Sequence, residues 1–133
     1  MSLALSTTVH TSFDEAVELT RAALSAQGFG VLTDIDMKAT LKAKIGADIE
    51  DYRILGACNP PLAHRAVSVD RQIGLLLPCN VVVRRDPANE DAVIIEAMNP
   101  DLMVQVTGEA DLVPVATEAT TRLRAAIESL SDR

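Results

Sequence analysis

The chain is poor in aromatic residues: its 133 residues include no tryptophan, one tyrosine (Tyr52) and two phenylalanines (Phe13 and Phe29). Ring stacking therefore cannot organise the core, which must be built from Leu, Ile, Val, Ala and Met. Hydrophobic residues make up 48% of the chain, enough to supply one. Cysteine is scarce as well. Cys58 and Cys79 are the only two, which rules out a disulfide-dense scaffold. A domain of this length buries roughly two-thirds of its unfolded surface and needs no such staples. Positive charge is also short, with 12 basic residues against 19 acidic ones, a net charge of −7 and a pI near 4.7. That balance repels phosphate backbones and anionic headgroups. The basic clusters Lys38/Lys42/Lys44 and Arg84-Arg85 are too short to reverse it, so neither nucleic acid nor a membrane is an expected partner. No apolar run approaches the ~20 residues of a membrane span, and the first residues carry neither a basic leader nor an apolar signal core. The expectation is a single domain over 1–133, cytoplasmic, with reduced thiols.

Motifs for catalysis are missing too. There is no Gly-x-Ser-x-Gly and no His-Glu-x-x-His, and the two histidines, His10 and His64, have no evident nucleophile-and-carboxylate setting. Gly28-Phe-Gly30 precedes a strand instead of opening a helix, unlike a phosphate loop. Asp48, Glu50 and Asp51 lack calcium-loop spacing and read as a solvated loop. No cofactor is indicated, and whether the chain is an enzyme stays open.

What is present is a regular alternation of elements. Leu3 to Val9 reads as a strand. Ser12-Phe-Asp-Glu15 is a capping box opening a helix that Gly28 ends. Phe29, Val31, Thr33 and Ile35 alternate as a second strand. Met37, Leu41 and Ile45 fall at i, i+4, i+8 on a short helix stopped by Gly46. Tyr52 to Cys58 is a third strand, and Asn59-Pro60 caps a helix over 60–69. Leu75 to Arg85 is strand-like, with Pro78 marking an edge, a bulge or a strand start. Asp86 to Asp91 is a hairpin loop and Ala92 to Met98 its partner strand. Asn99-Pro100 caps another short helix. Val113 to Leu130 is a terminal helix with Ala116, Ala119, Leu123, Ala126, Ile127 and Leu130 on one face. The hairpin excludes a doubly wound sheet. The fold class is α+β, a single mixed or mostly antiparallel sheet with helices packed on it.

One segment repeats. Asp51–Leu62 aligns with Asp91–Leu102 at an offset of 40, with six of twelve positions identical. Both read strand, Asn-Pro, helix. The plain explanation is that one junction chemistry serves twice. The sharper one is a pseudo-duplication that turns two helix starts, at Asn59 and Asn99, toward one cleft, where free N–H groups would bind an anion. Asn59, His64 and Asn99 are then the candidate ligand-binding residues, for a small molecule or an ion.

Cys58 and Cys79 are the candidate reactive residues. Cys58 ends a strand just before a helix N-terminus, whose partial positive charge favours thiolate. Cys79 follows Pro78 inside an apolar run and reads as buried. Three readings stand: two small core hydrophobes, a soft-metal site drawing on Cys58, Cys79, His64 and Met98, with Met103 as further sulfur, or a reversible thiol pair.

Tyr52-Arg-Ile-Leu-Gly-Ala-Cys-Asn-Pro60 with Ala63, and Gly74-Leu-Leu-Leu-Pro-Cys79 with Val81-Val-Val83, resemble the DUF302 family of small bacterial and archaeal proteins. Gly28-Phe29, the short Lys-rich helix and Asn99-Pro100 fit the same pattern. The resemblance implies a compact α+β domain that pairs into homodimers, and it marks the two cysteine motifs as more than filler. It brings no reaction, substrate or cofactor.

Overall fold

The structure, a computed structural model, describes residues 2–133. Its strands are β1 (Ala4–Val9), β2 (Gly30–Asp36), β3 (Tyr52–Cys58), β4 (Cys79–Asp86) and β5 (Asn89–Met98). Its helices are α1 (Phe13–Ala26), α2 (Met37–Ile45), α3 (Pro60–Val69), α4 (Asp101–Thr107) and α5 (Val113–Ser129), with 3-10 turns at Arg71–Leu76 and Ala110–Leu112. The strands form one sheet in the order β1-β5-β4-β3-β2, and every neighbouring pair is antiparallel. The fold class is α+β as expected, and the sheet is wholly antiparallel.

Local chemistry sets most boundaries. Ser12 Oγ accepts the Glu15 N–H at 3.2 Å and starts α1. The Glu15 carboxylate takes the Thr11 hydroxyl at 3.0 Å, so the box closes on a side chain and not on the Ser12 backbone. Asp36 Oδ1 caps α2 by accepting the Ala39 N–H, and Gly46 ends it in the left-handed conformation that glycine adopts without penalty. α2 departs from expectation in one respect. Its Met37/Leu41/Ile45 stripe does not reach a core: no residue of α2 is buried, and Ile45 is 73% exposed. β4 also begins later than the apolar run. Leu75 and Leu76 wind into the 3-10 turn, and Pro78, which lacks an N–H for the ladder, stays just outside the strand. That placement lets β4 be the central strand, so Pro78 marks a strand start and not a sheet edge.

A bulge in β2 decides which face its side chains take. The β2–β3 register runs Val31↔Ala57 and then Thr33↔Gly56, leaving Leu32 as the extra residue. Beyond it the alternation reverses. Phe29 and Val31 pack on the main core, while Thr33 and Ile35 turn to the other face and Leu32 is left 67% exposed.

Two clusters of buried side chains result. The larger lies between one sheet face and α1 with the second half of α5, and includes Val9, Leu24, Leu55, Val83, Ile95 and Leu123. The smaller lies off the end of the sheet, where Leu62 and Ala66 of α3, Ile73, Met103 of α4 and Val115 with Ala119 of α5 meet. α5 passes through both. Because β3 and β5 both pair antiparallel with β4, they run in the same direction, and the two repeated Asn-Pro junctions leave the same end of the sheet.

Gly56 is fixed by close approach. A Cβ there would collide with Thr33 Oγ1 and lie 2.8 Å from Pro78 Cγ. Gly56→Ala is expected to lower stability by about 1–3 kcal/mol, the usual cost of overpacking, in urea unfolding followed by circular dichroism. Adding Thr33→Ala should recover part of the loss.

Candidate functional site

At the seam between the two clusters is a half-open cavity of about 240 Å³. The sheet side contributes Phe29, Ala57 and Cys79; α3 contributes Leu62, Ala63 and Ala66. Met103, Val115 and Ala119 close the far wall, and Leu32, Leu77 and Pro78 border it as well. No Lys, Arg, His, Asp or Glu lines it. Asn59 brings the one polar side chain other than the thiols. A space of this size is larger than the ~150 Å³ apolar cavity that accepts a benzene ring.

Asn59 is 8% exposed. Its Oδ1 accepts the Leu62 N–H at 3.3 Å and caps α3. Its Nδ2 finds no acceptor among the described residues, yet none of their sealed side-chain N or O atoms lacks a partner. Nδ2 is therefore not sealed in protein. It lies beside Gly28, where a Cβ would stand 3.1 Å from it, and Gly28 is not part of the cavity wall.

The two helix starts do not offer the anion site that the sequence suggested. In α3 the first two residues are Pro60 and Pro61, which have no N–H. The Leu62 N–H goes to Asn59 Oδ1 and the Ala63 N–H to Asn59 O. In α4 the Asp101 N–H goes to Asn99 Oδ1, and those of Leu102 and Met103 go to the Asn99 and Pro100 carbonyls. All the donors that could hold an anion are spent or missing. Asn99 is likewise occupied, because its Nδ2 donates to Ser2 O at 3.0 Å, and it does not line the cavity.

The other candidates scatter. His64 is on the exposed side of α3 and outside the cavity wall. Met98 neighbours the core residue Ala97 in β5 and so faces away from the main core. The soft-metal set Cys58, Cys79, His64 and Met98 is thus not gathered, and no group of three His, Cys, Asp or Glu residues close enough to hold an ion occurs among the described residues. Asp51 of the acidic loop is held by Lys38 and Arg85 and Asp48 by Lys42, which leaves that loop an ion-paired surface.

Cys58 and Cys79 both line the cavity and both are free. They do not sit as a facing pair, because the position across the ladder from Cys79 is held by Ala57. Cys58 is half-buried and Cys79 buried. Burial, with a smaller Coulombic contribution from Cys58, pushes the Cys79 thiol up to about 11 from an ordinary 9.0. At neutral pH Cys79 is a thiol, poor both as nucleophile and as ligand.

A family model described as a domain of unknown function, DUF302, matches residues 5–130. The chain belongs to the DUF302 family. A comparison with curated proteins finds no match. Among solved structures, an uncharacterized conserved DUF302 protein from Bacillus stearothermophilus superposes with a TM-score of 0.88 at 27% identity. The match covers 98% of this chain and 99% of that one. The family assignment drawn from the cysteine motifs is therefore confirmed, together with its fold. No helix among the described residues is long and apolar enough to cross a membrane. The residues that build most of the DUF302 cavity wall here, Phe29, Leu62, Met103, Val115 and Ala119, were legible in sequence only as core; nothing local marks them as lining a space.

The raised Cys79 gives a pH signature. Its folded value lies above the unfolded one, so its contribution is complete below pH 9 and is lost as pH rises toward 11. A difference of two units corresponds to about 3 kcal/mol. Urea midpoints measured from pH 8 to 11 should fall more steeply for the wild type than for Cys79→Ala. Parallel curves would show that burial does not control this thiol.

Proposed function

We propose that this DUF302 domain is a non-catalytic binding module that holds a small, mostly apolar molecule in the cavity beneath α3 and acts as a homodimer in the cytoplasm. The observation that carries the reading is the cavity itself. A packed interior leaves few spaces larger than a water molecule, and this one has a continuous apolar wall, as small-molecule sites mostly have. The same wall disfavours an ion, since an unpaired charge moved into apolar surroundings loses its hydration, and the helix starts have no free donors to replace it.

Support for pairing comes from the sheet face opposite α1 and α5. Ile35, Ile54 and Val82 form one cross-strand row and Arg84 with Ile94 part of the next. Ile54, Val82 and Ile94 are only half-buried, and Arg84 and Glu96 bridge the face at 2.8 Å. A face with an apolar centre, polar side chains around it and a charge of each sign is able to meet its own two-fold copy.

A second reading keeps a single reactive thiol, because half-buried Cys58 stands in the wall where a bound molecule would lie. A dithiol mechanism has less support, given a register that sets Ala57 opposite Cys79 and a Cys79 that stays protonated. Iodoacetamide labelling at pH 7 separates the readings: Cys58 reacting faster than a free thiol of ordinary acidity favours chemistry.

The binding reading predicts saturable shifts of the Ala63, Val115 and Ala119 amide signals when the hydrocarbon α-methylstyrene is titrated into labelled protein. Ala63→Phe, which adds a ring at a half-buried position of the wall, should weaken binding at least tenfold. Absence of saturable shifts with small hydrocarbons and their oxygenated analogues alike would sink it. For the dimer, Ile54→Lys should convert the species in sedimentation velocity to a monomer with an unchanged circular dichroism spectrum; a wild type that sediments as a monomer removes this part of the proposal.

A further inference from the structure

Resting on the cavity as a binding site, we propose that its ligand is a neutral molecule with one aromatic ring, selected by the sulfur side chains of the wall. The chain has two cysteines and four methionines. Three of these side chains, Cys58, Cys79 and Met103, line this one cavity. Met103 is 2% exposed and is buried with Leu62, Ala66, Val115 and Ala119, each of which is itself part of the wall. Cys79 is buried and lies across the ladder from Ala57, another wall residue. Cys58 is half-buried and Leu32 exposed, so both belong to the part of the wall that reaches solvent. The main core is the contrast. Its buried side chains are Leu, Ile, Val and Ala with Phe29, and it holds no sulfur.

That distribution carries the ligand's class. The wall exposes almost no nitrogen or oxygen, so it selects neither by charge nor by hydrogen bond, and an ion entering it would lose its hydration. Size and polarisability remain. A saturated hydrocarbon would be held equally well by the leucines and valines that fill the main core. Sulfur adds something for a π-system, because a polarisable sulfur about 5 Å from an aromatic ring, often at its edge, makes a favourable contact. Phe29 offers a further edge-to-face or stacked partner from the sheet side. The volume of about 240 Å³ suits one ring with a short substituent, since a bare benzene ring occupies an apolar cavity of about 150 Å³. Methionine also fills irregular gaps, so sulfur has to be separated from volume.

The test compares benzyl alcohol with cyclohexylmethanol on the intact protein. The two share a skeleton and a hydroxymethyl group, which can stay in water at the open side, and they differ in the electrons of the ring. Affinities come from NMR titration of the Ala63, Val115 and Ala119 amide signals, each divided by the alcohol's water–hexadecane partition coefficient so that hydrophobicity cancels. Benzyl alcohol is expected to be favoured about tenfold on that scale. Met103→Leu nearly keeps the volume and removes the sulfur, and should cut the preference by about threefold or more while cyclohexylmethanol binding stays within about twofold. A preference set by ring thickness would survive that substitution unchanged. Should the variant not fold, Cys58→Ala, at a half-buried position, is read in the same way. Equal normalised affinities, a preference for the saturated ring, or a preference that the sulfur substitution leaves intact overturns the sulfur–aromatic assignment and leaves the cavity reading standing. Silence of both alcohols overturns it as well, and if α-methylstyrene is equally silent the cavity reading falls with it.

Discussion

α5 is the member on which the rest of the molecule depends. Its second half, from Leu123 to Leu130, presses on the main core with α1, while its first half, from Val115 to Ala119, packs with α3 and α4 off the end of the sheet. Without it the smaller cluster would lose the helix it shares with the larger, and α3 would lose Val115, Ala116 and Ala119 from the cluster it packs in. The helix performs both tasks by changing side-chain size along one stripe. Leucine and isoleucine fill the space above the sheet, and alanine at 116 and 119 allows Ala66 of α3 to approach. Small residues facing small residues draw helices together but fill little volume, and the shortfall collects where the sheet ends. The cavity is the geometric remainder of one helix serving two cores.

What surrounds that remainder narrows its chemistry. Helix starts are ordinarily rich in free N–H groups, and two of them lie at this end of the molecule. Here each is silenced by the same device, proline in the first positions and an asparagine oxygen on the next free donor. The positive end that attracts phosphate in other folds is closed. Charged side chains are spent elsewhere, as in Arg53 with Asp34 and Asp36, Lys38 and Arg85 with Asp51, or Arg65 and Arg122 with Glu118. The cavity keeps an apolar wall and two thiols of unequal exposure.

Much of this was legible in the sequence, and the limit follows the range of the interactions. Caps are local, so Ser12, Asn59 and Asn99 announce their helices, and the family pattern around the cysteines fixes the α+β class. The inequality of the cysteines was legible too, since Pro78 and an apolar run pointed to a buried Cys79. The bulge at Leu32 was not. Phe29, Val31, Thr33 and Ile35 alternate without interruption in the sequence, and only the collision of Thr33 with anything larger than glycine at position 56 shows why the pairing slips. The Met37/Leu41/Ile45 stripe failed for the opposite reason: a helical period says which side chains share a face, not that a core waits opposite them. His64 and Met98 were grouped with the cysteines by chemistry, and helix phase and strand alternation then carried them to other surfaces. The wall of the cavity depends on where α5 meets α3, a tertiary fact with no local sign.

The repeated segment brings both of its junctions to the site. At the offset of 40 the residue after the aligned stretch is Ala63 in α3 and Met103 in α4, and both line the cavity. The methionine extends a long, flexible side chain into the shared space, while the alanine withdraws from it. The other paired differences act in the same sense. Gly56 corresponds to Glu96 in the repeat, so the β3 copy admits the close approach of Pro78, and the β5 copy instead carries a carboxylate that holds Arg84. Pro61 corresponds to Asp101, whose carboxylate would repel an anion even if a donor remained free. Asn99 ties down the chain through Ser2, whereas the Asn59 nitrogen, with the same cap, has no such duty and lies beside Gly28.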